Sequence, residues 1–406
     1  MRLCLISMDA VARPDADRLF RLPALSALRE ESAFCPNVQT VYPTVTYPIH
    51  ASILTGCYPD RTGIGHNKPF QPDTPHDLQA WYWDYRAIRE RTLLHAAREK
   101  RMDIASILWP VTGKCPLIRR NFPEILPLPG ENAALKMLRY GSPLWILNME
   151  LRYGKRRGSI LQPDLDEYAV LLAEKLFASR RPPEVFLLHL VDCDAMRHRY
   201  GADSPEAAAA MERLDRHVGR VYRAVEKAGF MEDTLFCVVS DHGQQNVSIS
   251  VPLDAELKKA CGARAQGFGM GAYIFSDDLP AARAVLDKHR QEWRIAHIYD
   301  EAELRALHAP REVHLAVEAM PGAHFSEHDS RSLGEHGFAV TAEESRVLFL
   351  LKGPGIAPGA VIPRMRVVDI APTLAALMGL SLPDTDGTPV AELIETAAGA
   401  RRNTHG

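Results

Sequence analysis

The chain lacks an excess of charge of either sign. Its 406 residues include 48 basic and 51 acidic residues, which gives a formal net charge of −3. Proteins that bind nucleic-acid polymers usually carry a strongly basic surface. We therefore expect neither a nucleic-acid polymer nor a membrane as a partner, and the sequence leaves the oligomeric state open.

Paired cysteines and long apolar runs are also missing. The seven cysteines show no CxxC spacing, and their odd number argues against a disulfide framework and against thiolate zinc sites. No apolar stretch approaches the roughly 18–20 residues that cross a bilayer. The N-terminal MRLCLISMDA becomes polar too early for a signal peptide. These features predict a reduced, cytoplasmic enzyme.

Short aliphatic runs alternate with segments of helical periodicity. The runs are typical of buried parallel strands and cover Leu3–Met8, Val185–Val191, Thr234–Ser240 and Arg346–Leu351. The helical segments are Leu22–Glu31, His50–Thr55, Glu167–Ala178, Pro205–Ala228 and Val367–Gly379. This alternation predicts an α/β fold in which helices sandwich a mostly parallel central sheet.

Two stretches interrupt the alternation. Residues from about 68 to 163 are rich in Trp, Tyr, Pro and Arg, and residues from about 253 to 334 contain a glycine-rich piece and several histidines. We interpret both as insertions in a single catalytic domain of residues 1–395, the first forming a small cap near the substrate. The small, polar residues 396–406 are predicted to form a flexible tail.

Three of the predicted strands end in acidic residues or in an Asp–His pair. Asp9 follows the first strand, Asp194 comes shortly after the second, and Asp241 and His242 follow the third. The carboxyl ends of parallel strands meet at one edge of a sheet, so these side chains should converge. His198 comes four residues after Asp194, so one helical turn can direct both at one ion. Carboxylate and imidazole sets of this kind suit zinc.

A later histidine can complete the ligand set. His336 lies between glycines in the segment GEHG, and glycine permits a close approach of the backbone. His324 and His328 compete with it for this place. The other histidines near these motifs are interpreted as structural or hydrogen-bonding residues: His50, His66 and His189.

A candidate nucleophile lies in YPTVTYPIH, residues 42–50, just before a predicted helix. A hydroxyl at a helix N-terminus faces free N–H groups and the positive end of the helix dipole, which also suits an anionic phosphate. Free threonine is a poor nucleophile, but a coordinated metal lowers its pKa. Either Thr44 or Thr46 can fill this role.

Four segments in the same order resemble the nucleotide pyrophosphatase/phosphodiesterase branch of the alkaline phosphatase superfamily. They are TVTYPIHASILTGCYPDRTGIGHN, LVDCDAMRHRYG, VVSDHGQ and GEHGF, and the resemblance extends from Asp9 to about Gly387. It departs from the family at Ile49, where Asn is common, and at Asp192–Cys193. The resemblance implies two Zn²⁺ per chain, one held by Asp9, Thr46, Asp241 and His242 and the other by Asp194, His198 and His336.

The same resemblance assigns four residues to the reaction or to the substrate. It implies that Thr46, rather than Thr44, is the nucleophile and that Asn67 donates to a phosphate oxygen. It implies that Tyr47 packs against the leaving group and that Trp109 lies near the substrate. An alternative makes Tyr47 a wall residue that only orients the helix after the nucleophile.

Two further clusters have a structural and a functional interpretation. The aromatic residues 81–85 suit a small hydrophobic core better than a direct substrate contact. The basic run RYGKRR, residues 152–157, is interpreted as a solvated loop, with a clamp for substrate phosphates as the alternative.

The expected function is a zinc-dependent phosphodiesterase or nucleotide pyrophosphatase that works through a covalent phospho-threonine. No arginine is evident beside Thr46 to bind a dianion, which favours diesters over monoesters. The alternatives are a phosphomonoesterase or phosphonate hydrolase on the same core, a phosphomutase, and a non-catalytic binding protein.

Overall fold

The structure, a computed structural model, describes residues 1–326, 332–395 and 397. The predicted flexible tail of residues 396–406 therefore lies outside the described residues, apart from residue 397. Among the described helices, none combines the length and the apolar character that a membrane span requires.

The described residues form sixteen strands and fourteen α-helices. The strands are β1 Arg2–Met8, β2 Ala33–Gln39, β3 Ile104–Ile107, β4 Arg120–Phe122, β5 Val185–Leu190, β6 Thr234–Ser240, β7 Gln245–Asn246, β8 Ile249–Val251, β9 Arg264–Gly267, β10 Gly271–Phe275, β11 Ile295–Tyr299, β12 Ala316–Ala319, β13 Ala323–Phe325, β14 Gly334–Glu335, β15 Arg346–Lys352 and β16 Met365–Arg366. The helices are α1 Ala16–Leu19, α2 Pro23–Glu30, α3 Thr46–Thr55, α4 Pro59–Thr62, α5 Leu93–Glu99, α6 Ala133–Tyr140, α7 Pro143–Tyr153, α8 Asp164–Phe177, α9 Asp192–Tyr200, α10 Pro205–Lys227, α11 Leu253–Cys261, α12 Leu279–Lys288, α13 Glu301–Ala306 and α14 Ile370–Met378.

An eight-stranded sheet forms the centre of the molecule, in the order β16-β2-β15-β6-β1-β5-β3-β4. Strands β6, β1, β5, β3 and β4 run parallel to one another. Alternate residues of β1 pack on opposite faces, with Leu3 and Leu5 in one hydrophobic cluster and Cys4 and Ile6 in another. A sheet buried on both faces needs such continuous aliphatic strands. The predicted α/β fold with a mostly parallel sheet is therefore confirmed.

The fourth predicted strand departs from the parallel arrangement. Residues Arg346–Lys352 form β15 as expected, but β15 runs antiparallel to both of its neighbours, β6 and β2. The prediction that this run is parallel was wrong, because an aliphatic run buried on both faces has the same appearance in either direction.

Part of the stretch interpreted as the first insertion belongs to the core. Strands β3 and β4, within residues 68–163, extend the central sheet beyond β5. They are four and three residues long, too short to give a periodic signal. The interpretation of the whole stretch as an insertion was wrong for these strands. The division of the chain into one domain with two insertions otherwise stays a prediction.

A second sheet lies within residues 253–334. Strands β11, β12, β10 and β9 form an antiparallel sheet in that order. Its hydrophobic cluster includes Leu257 of α11, Ile274 of β10, Leu286 of α12 and Val317 of β12. This segment thus has an apolar core separate from the two clusters that line the central sheet.

Helix α3 starts earlier than the predicted segment. It begins at Thr46, four residues before the expected His50, and it ends at Thr55, just before Gly56, whose φ of 71° is left-handed. All ten of its residues are buried, so the helix has no polar face. The amphipathic pattern by which the start of a surface helix is recognised in a sequence is therefore missing. The early start puts the hydroxyl of Thr46 at the helix N-terminus.

Candidate functional site

Three neighbouring strands direct the first candidate ligands to one edge of the sheet. Met8, the last residue of β1, pairs in register with Leu190 of β5 and with Ser240 of β6. Asp9 and Asp241 therefore leave the sheet at the same level, one strand apart. This is the position at which open parallel sheets bind ligands.

The first ligand group consists of Asp9, Asp241 and His242. All three are buried, and each offers a ligand atom within 4.8 Å of those of the other two. Nε2 of His242 lies 3.5 Å from Oδ1 of Asp9 and 3.4 Å from Oδ2 of Asp241. These atoms converge on one small volume between the strand ends.

The second ligand group consists of Asp194, His198 and His336, whose ligand atoms also lie within 4.8 Å of one another. The first two occupy successive turns of α9, with 3.3 Å between Nε2 of His198 and Oδ1 of Asp194. The ring centroid of His336 lies 4.3 Å from that of His242. The two groups are therefore neighbours that meet at these two imidazoles.

Glycine next to His336 lets the segment approach the second sheet. Gly337 has a φ of 84°, and a Cβ at this position would lie 2.0 Å from the carbonyl oxygen of Phe268. Of the two rival histidines, His324 lies outside the ligand group, with its Nδ1 3.7 Å from Oε1 of Glu335. His328 lies outside the described residues.

Thr46 is adjacent to the first group. Its Oγ1 lies 3.1 Å from Nε2 of His242, at the N-terminus of α3, where the positive end of the helix dipole favours an anion. Thr44 has a different environment, because its Oγ1 donates to the carbonyl oxygen of Phe338 at 2.8 Å and its carbonyl oxygen accepts from the N–H of Gly337. Thr44 thus ties the loop before α3 to the segment that carries His336.

Asn67 is oriented by the backbone of α3. The N–H of Tyr47 donates to Oδ1 of Asn67 at 2.9 Å. An N–H can only donate, so this contact defines which end of the amide is the oxygen. The Nδ2 group of the half-buried Asn67 is then the end that can donate to a phosphate oxygen near Thr46.

Two predicted substrate contacts are not accessible. The ring of Tyr47 is fully buried, lies 5.3 Å from Trp81 in an edge-to-face arrangement, and donates its hydroxyl hydrogen to Oε1 of Glu124 at 3.3 Å. Trp109 is also fully buried, with its ring edge against His50 at 5.0 Å. Neither ring has a free face for a substrate in this structure, and Tyr47 has the place of a wall residue.

Three residues beside the ligand groups were not predicted to act there. His189 contacts Asp9 and also Glu124, which follows the short strand β4. Gln244 donates from Nε2 to Oδ1 of Asp194 at 2.5 Å. Gln244 comes two residues after His242 in the segment SDHGQ, and this short spacing is the one sequence signal that could have identified it.

The electrostatics of the first group favour a bound cation. Burial, followed by the charges of Asp241 and Asp194, raises the pKa of Asp9 well above its usual range. Burial also raises the pKa of Asp241 to about 6. Within the described part of the chain, Oδ1 of Asp9 and Oδ2 of Asp241 are buried without a hydrogen-bond donor. Buried carboxylates without donors are costly unless a cation compensates them.

The imidazoles of His242 and His336 are suited to coordination as well. Burial lowers the pKa of His242 to about 4 and that of His336 to about 3, so both rings are neutral and have a lone pair free at pH 7. Burial opposes the charged form of His198, but the carboxylates of Asp194 and Glu335 together outweigh it and raise the pKa of His198 to about 10. The donor set of carboxylates and imidazoles fits zinc.

The fold and the site together define an alkaline phosphatase-like phosphoesterase. The sequence model of the family described as type I phosphodiesterase / nucleotide pyrophosphatase matches residues 3–348. The chain belongs to this family and is accordingly a phosphoric ester hydrolase. Metal dependence is characteristic of the family.

Curated relatives are similar at low identity. Mouse bis(5'-adenosyl)-triphosphatase enpp4 is 23% identical over 416 residues, covering 95% of this chain and 79% of that protein. Human ectonucleotide pyrophosphatase/phosphodiesterase family member 1 is 25% identical over 241 residues, covering 56% of this chain but 22% of that protein.

Solved structures share the fold. Mouse ectonucleotide pyrophosphatase/phosphodiesterase 5 superposes with a TM-score of 0.73 at 20% identity, covering 96% of this chain and 98% of that one. An inactive variant of the mouse protein, in which a threonine is replaced by alanine, was solved in complex with AMP and has the same TM-score at 19% identity.

Proposed function

We propose that the protein hydrolyses phosphodiester and nucleotide pyrophosphate bonds with Thr46 as the nucleophile and two Zn²⁺ as cofactors. The observation that carries this proposal is the 3.1 Å distance from Oγ1 of Thr46 to Nε2 of His242, where the two ligand groups meet. Asp9, Asp241, His242 and Thr46 would hold one ion, and Asp194, His198 and His336 the other. Zinc bound there would make a coordinated hydroxyl more acidic and would neutralise charge on the phosphate oxygens.

The chain's own groups support a two-step displacement. Oγ1 of Thr46 gives up its proton and forms a bond to phosphorus, the bond to the leaving oxygen breaks, and that oxygen takes up a proton. Nδ2 of Asn67 donates to a phosphate oxygen, and the positive end of the α3 dipole stabilises the negative charge. Water then displaces Thr46 from phosphorus, which releases the second product and restores the free hydroxyl.

Two observations support diesters over monoesters. None of the hydrogen bonds or ion pairs of Thr46 and Asn67 in the described residues involves an arginine, and a dianionic monoester would benefit from one. The relatives named above are a bis(5'-adenosyl)-triphosphatase and nucleotide pyrophosphatases/phosphodiesterases. We also propose a cytoplasmic location, because none of the seven cysteines is bridged.

Zinc-loaded protein assayed on bis-p-nitrophenyl phosphate, p-nitrophenyl phosphate, a dinucleoside triphosphate and AMP tests the proposal. We expect the diester and the dinucleotide to be cleaved with a higher kcat/KM than the two monoesters. Brief reaction and acid quenching should leave a substrate-derived phosphoryl group on the tryptic peptide that contains Thr46. Faster monoester turnover would indicate the phosphomonoesterase alternative, and conversion to an isomer without hydrolysis would indicate a mutase.

A further inference from the structure

Helix α7 presents an unpartnered apolar face to solvent. Leu144, Leu147 and Leu151, here called the leucine face, have exposed fractions of 84%, 45% and 88%. Their spacing of three and four residues puts them on one side of the helix. Three such exposed leucines on one helix face are unusual, and contiguous apolar patches commonly mark interaction sites.

The opposite side of α7 is anchored in the protein. Ile146 is buried in a hydrophobic cluster of the central sheet, and Trp145 and Met149 pack against the same cluster. Glu150 accepts hydrogen bonds from Tyr168 and Arg157. The helix is therefore held in one orientation, and the leucine face is a fixed surface.

The segment that carries the leucine face is basic. Residues 131–161 contain six basic and two acidic side chains, in a chain whose total charge is −3. Both acidic residues are already paired, Glu131 with Lys136 and Glu150 with Arg157. Among the described residues, four exposed cations of this segment form no hydrogen bond or ion pair: Arg139, Arg152, Lys155 and Arg156.

We propose that the leucine face and these four cations dock on an anionic lipid surface. An apolar helix face bordered by basic residues binds membrane interfaces by inserting its side chains and by attracting anionic headgroups. A second copy of the chain fits less well, because a two-fold contact would bring the same four cations against each other. A membrane partner is contrary to the expectation from the sequence. That expectation rested on the charge of the whole chain rather than on the charge of this segment.

Sedimentation of the full chain with lipid vesicles tests the proposal. We expect binding to vesicles of phosphatidylcholine with one third phosphatidylglycerol, weaker binding at high salt, and little binding to phosphatidylcholine alone. Changing Arg152, Lys155 and Arg156 together to Gln should weaken binding about a hundredfold, at about fivefold per residue. The double change of Leu144 and Leu151 to Glu should weaken it at least about tenfold.

Matched controls separate docking from general effects. Val361→Glu changes a residue that is 63% exposed elsewhere on the surface and should leave binding unchanged. Turnover of a soluble diester should be the same in all variants, which shows that they fold. Unchanged vesicle binding by both leucine and basic variants would overturn the proposal. The proposal would also be overturned if the wild type did not bind vesicles but formed a dimer in light scattering, and if the double leucine variant were a monomer.

Discussion

Nε2 of His189 lies 3.1 Å from Oδ2 of Asp9, and Nδ1 of the same ring lies 3.0 Å from Oε2 of Glu124. Burial disfavours a charge on this ring, but the two carboxylates outweigh that effect and raise the pKa of His189. The contact occupies one oxygen of Asp9 and leaves the other facing His242. His189 is thus a positioning residue for a candidate metal ligand.

His189→Gln should weaken the first metal site selectively. Partners that orient metal ligands typically contribute about 10- to 100-fold in metal affinity or activity. We expect such a loss in affinity for one of two ions in a zinc titration, with activity recovered at high zinc. A loss of activity that added zinc does not restore, with both affinities unchanged, would contradict the positioning role.

Gln244→Leu provides the matched comparison at the second group. Nε2 of Gln244 donates to Oδ1 of Asp194, so a loss of about 10- to 100-fold in zinc affinity is expected for the other ion. The two variants should therefore weaken different steps of the zinc titration, and the double variant should weaken both. Equal losses at both ions from either single variant would indicate a general destabilisation instead.

Thr46→Ala should lower kcat/KM on the order of a thousandfold or more while leaving the fold intact, because it removes the nucleophile. Thr46→Ser should keep partial activity, since the hydroxyl remains. Thr44→Ala loses one hydrogen bond to Phe338, which contributes about 0.5–1.5 kcal/mol to stability, and should stay active. If Thr44→Ala were inactive and Thr46→Ala active, the nucleophile would be Thr44 rather than Thr46.

The strand ends explain why the metal-ligand candidates could be predicted from sequence. Asp9 and Asp241 directly follow continuous aliphatic strands, and neighbouring parallel strands end at one edge. His198 follows Asp194 by one helical turn, a spacing that is visible in the sequence. The prediction of these residues depends only on local sequence patterns, and the structure brings their side chains together as the patterns indicate.

The residues that the sequence did not reveal depend on long-range packing. Glu124 reaches His189 only because β4 joins the sheet beyond β3, and these strands are too short to recognise. Tyr47 is next to Thr46 in sequence, yet its side chain lies against Trp81 and Glu124 inside the protein. Such orientations follow from packing between segments far apart in the chain.

Metal removal should lower the thermal stability of the protein. Without a cation, the buried carboxylates of Asp9 and Asp241 repel each other, and Oδ1 of Asp9 and Oδ2 of Asp241 have no hydrogen-bond donor. A ligand present at about one hundred times its Kd stabilises the folded state by about 2.7 kcal/mol. We expect about two zinc ions per chain by elemental analysis and a Tm that falls with chelator. A protein that binds no zinc and keeps its Tm and activity in chelator would contradict the two-metal assignment.

Asn67→Ala should reduce turnover without changing metal content. Removing one donor to a developing charge costs about 100- to 1,000-fold in kcat. Asn67→Asp keeps the acceptor for the N–H of Tyr47 but puts a negative charge where Nδ2 was, so its kcat/KM should be lower still. If Asn67→Asp were as active as the wild type, the amide would have no contact with the phosphate.

Asp166 should make the stability of the protein depend on pH. Burial raises the pKa of its carboxyl to about 7, although it accepts from the N–H groups of Val191 and Asp192. An unfolded Asp has a pKa of about 3.9. Between these values the folded protein holds a proton that the unfolded chain has released, so the free energy of unfolding falls as the pH rises from about 4 to 7. The shift corresponds to roughly 4 kcal/mol at most.

Asp166→Asn tests this link, because the amide oxygen can still accept from both N–H groups and carries no charge. The Tm of the variant relative to the wild type should increase between pH 5 and pH 8 by several degrees. Asp17→Asn, at an exposed position, is the matched control and should leave the pH profile unchanged. A constant Tm difference between Asp166→Asn and the wild type across this range would show that Asp166 is ionised in the folded protein at pH 5. In that case its two backbone hydrogen bonds, which hold the start of α9 and hence Asp194, outweigh the cost of burial.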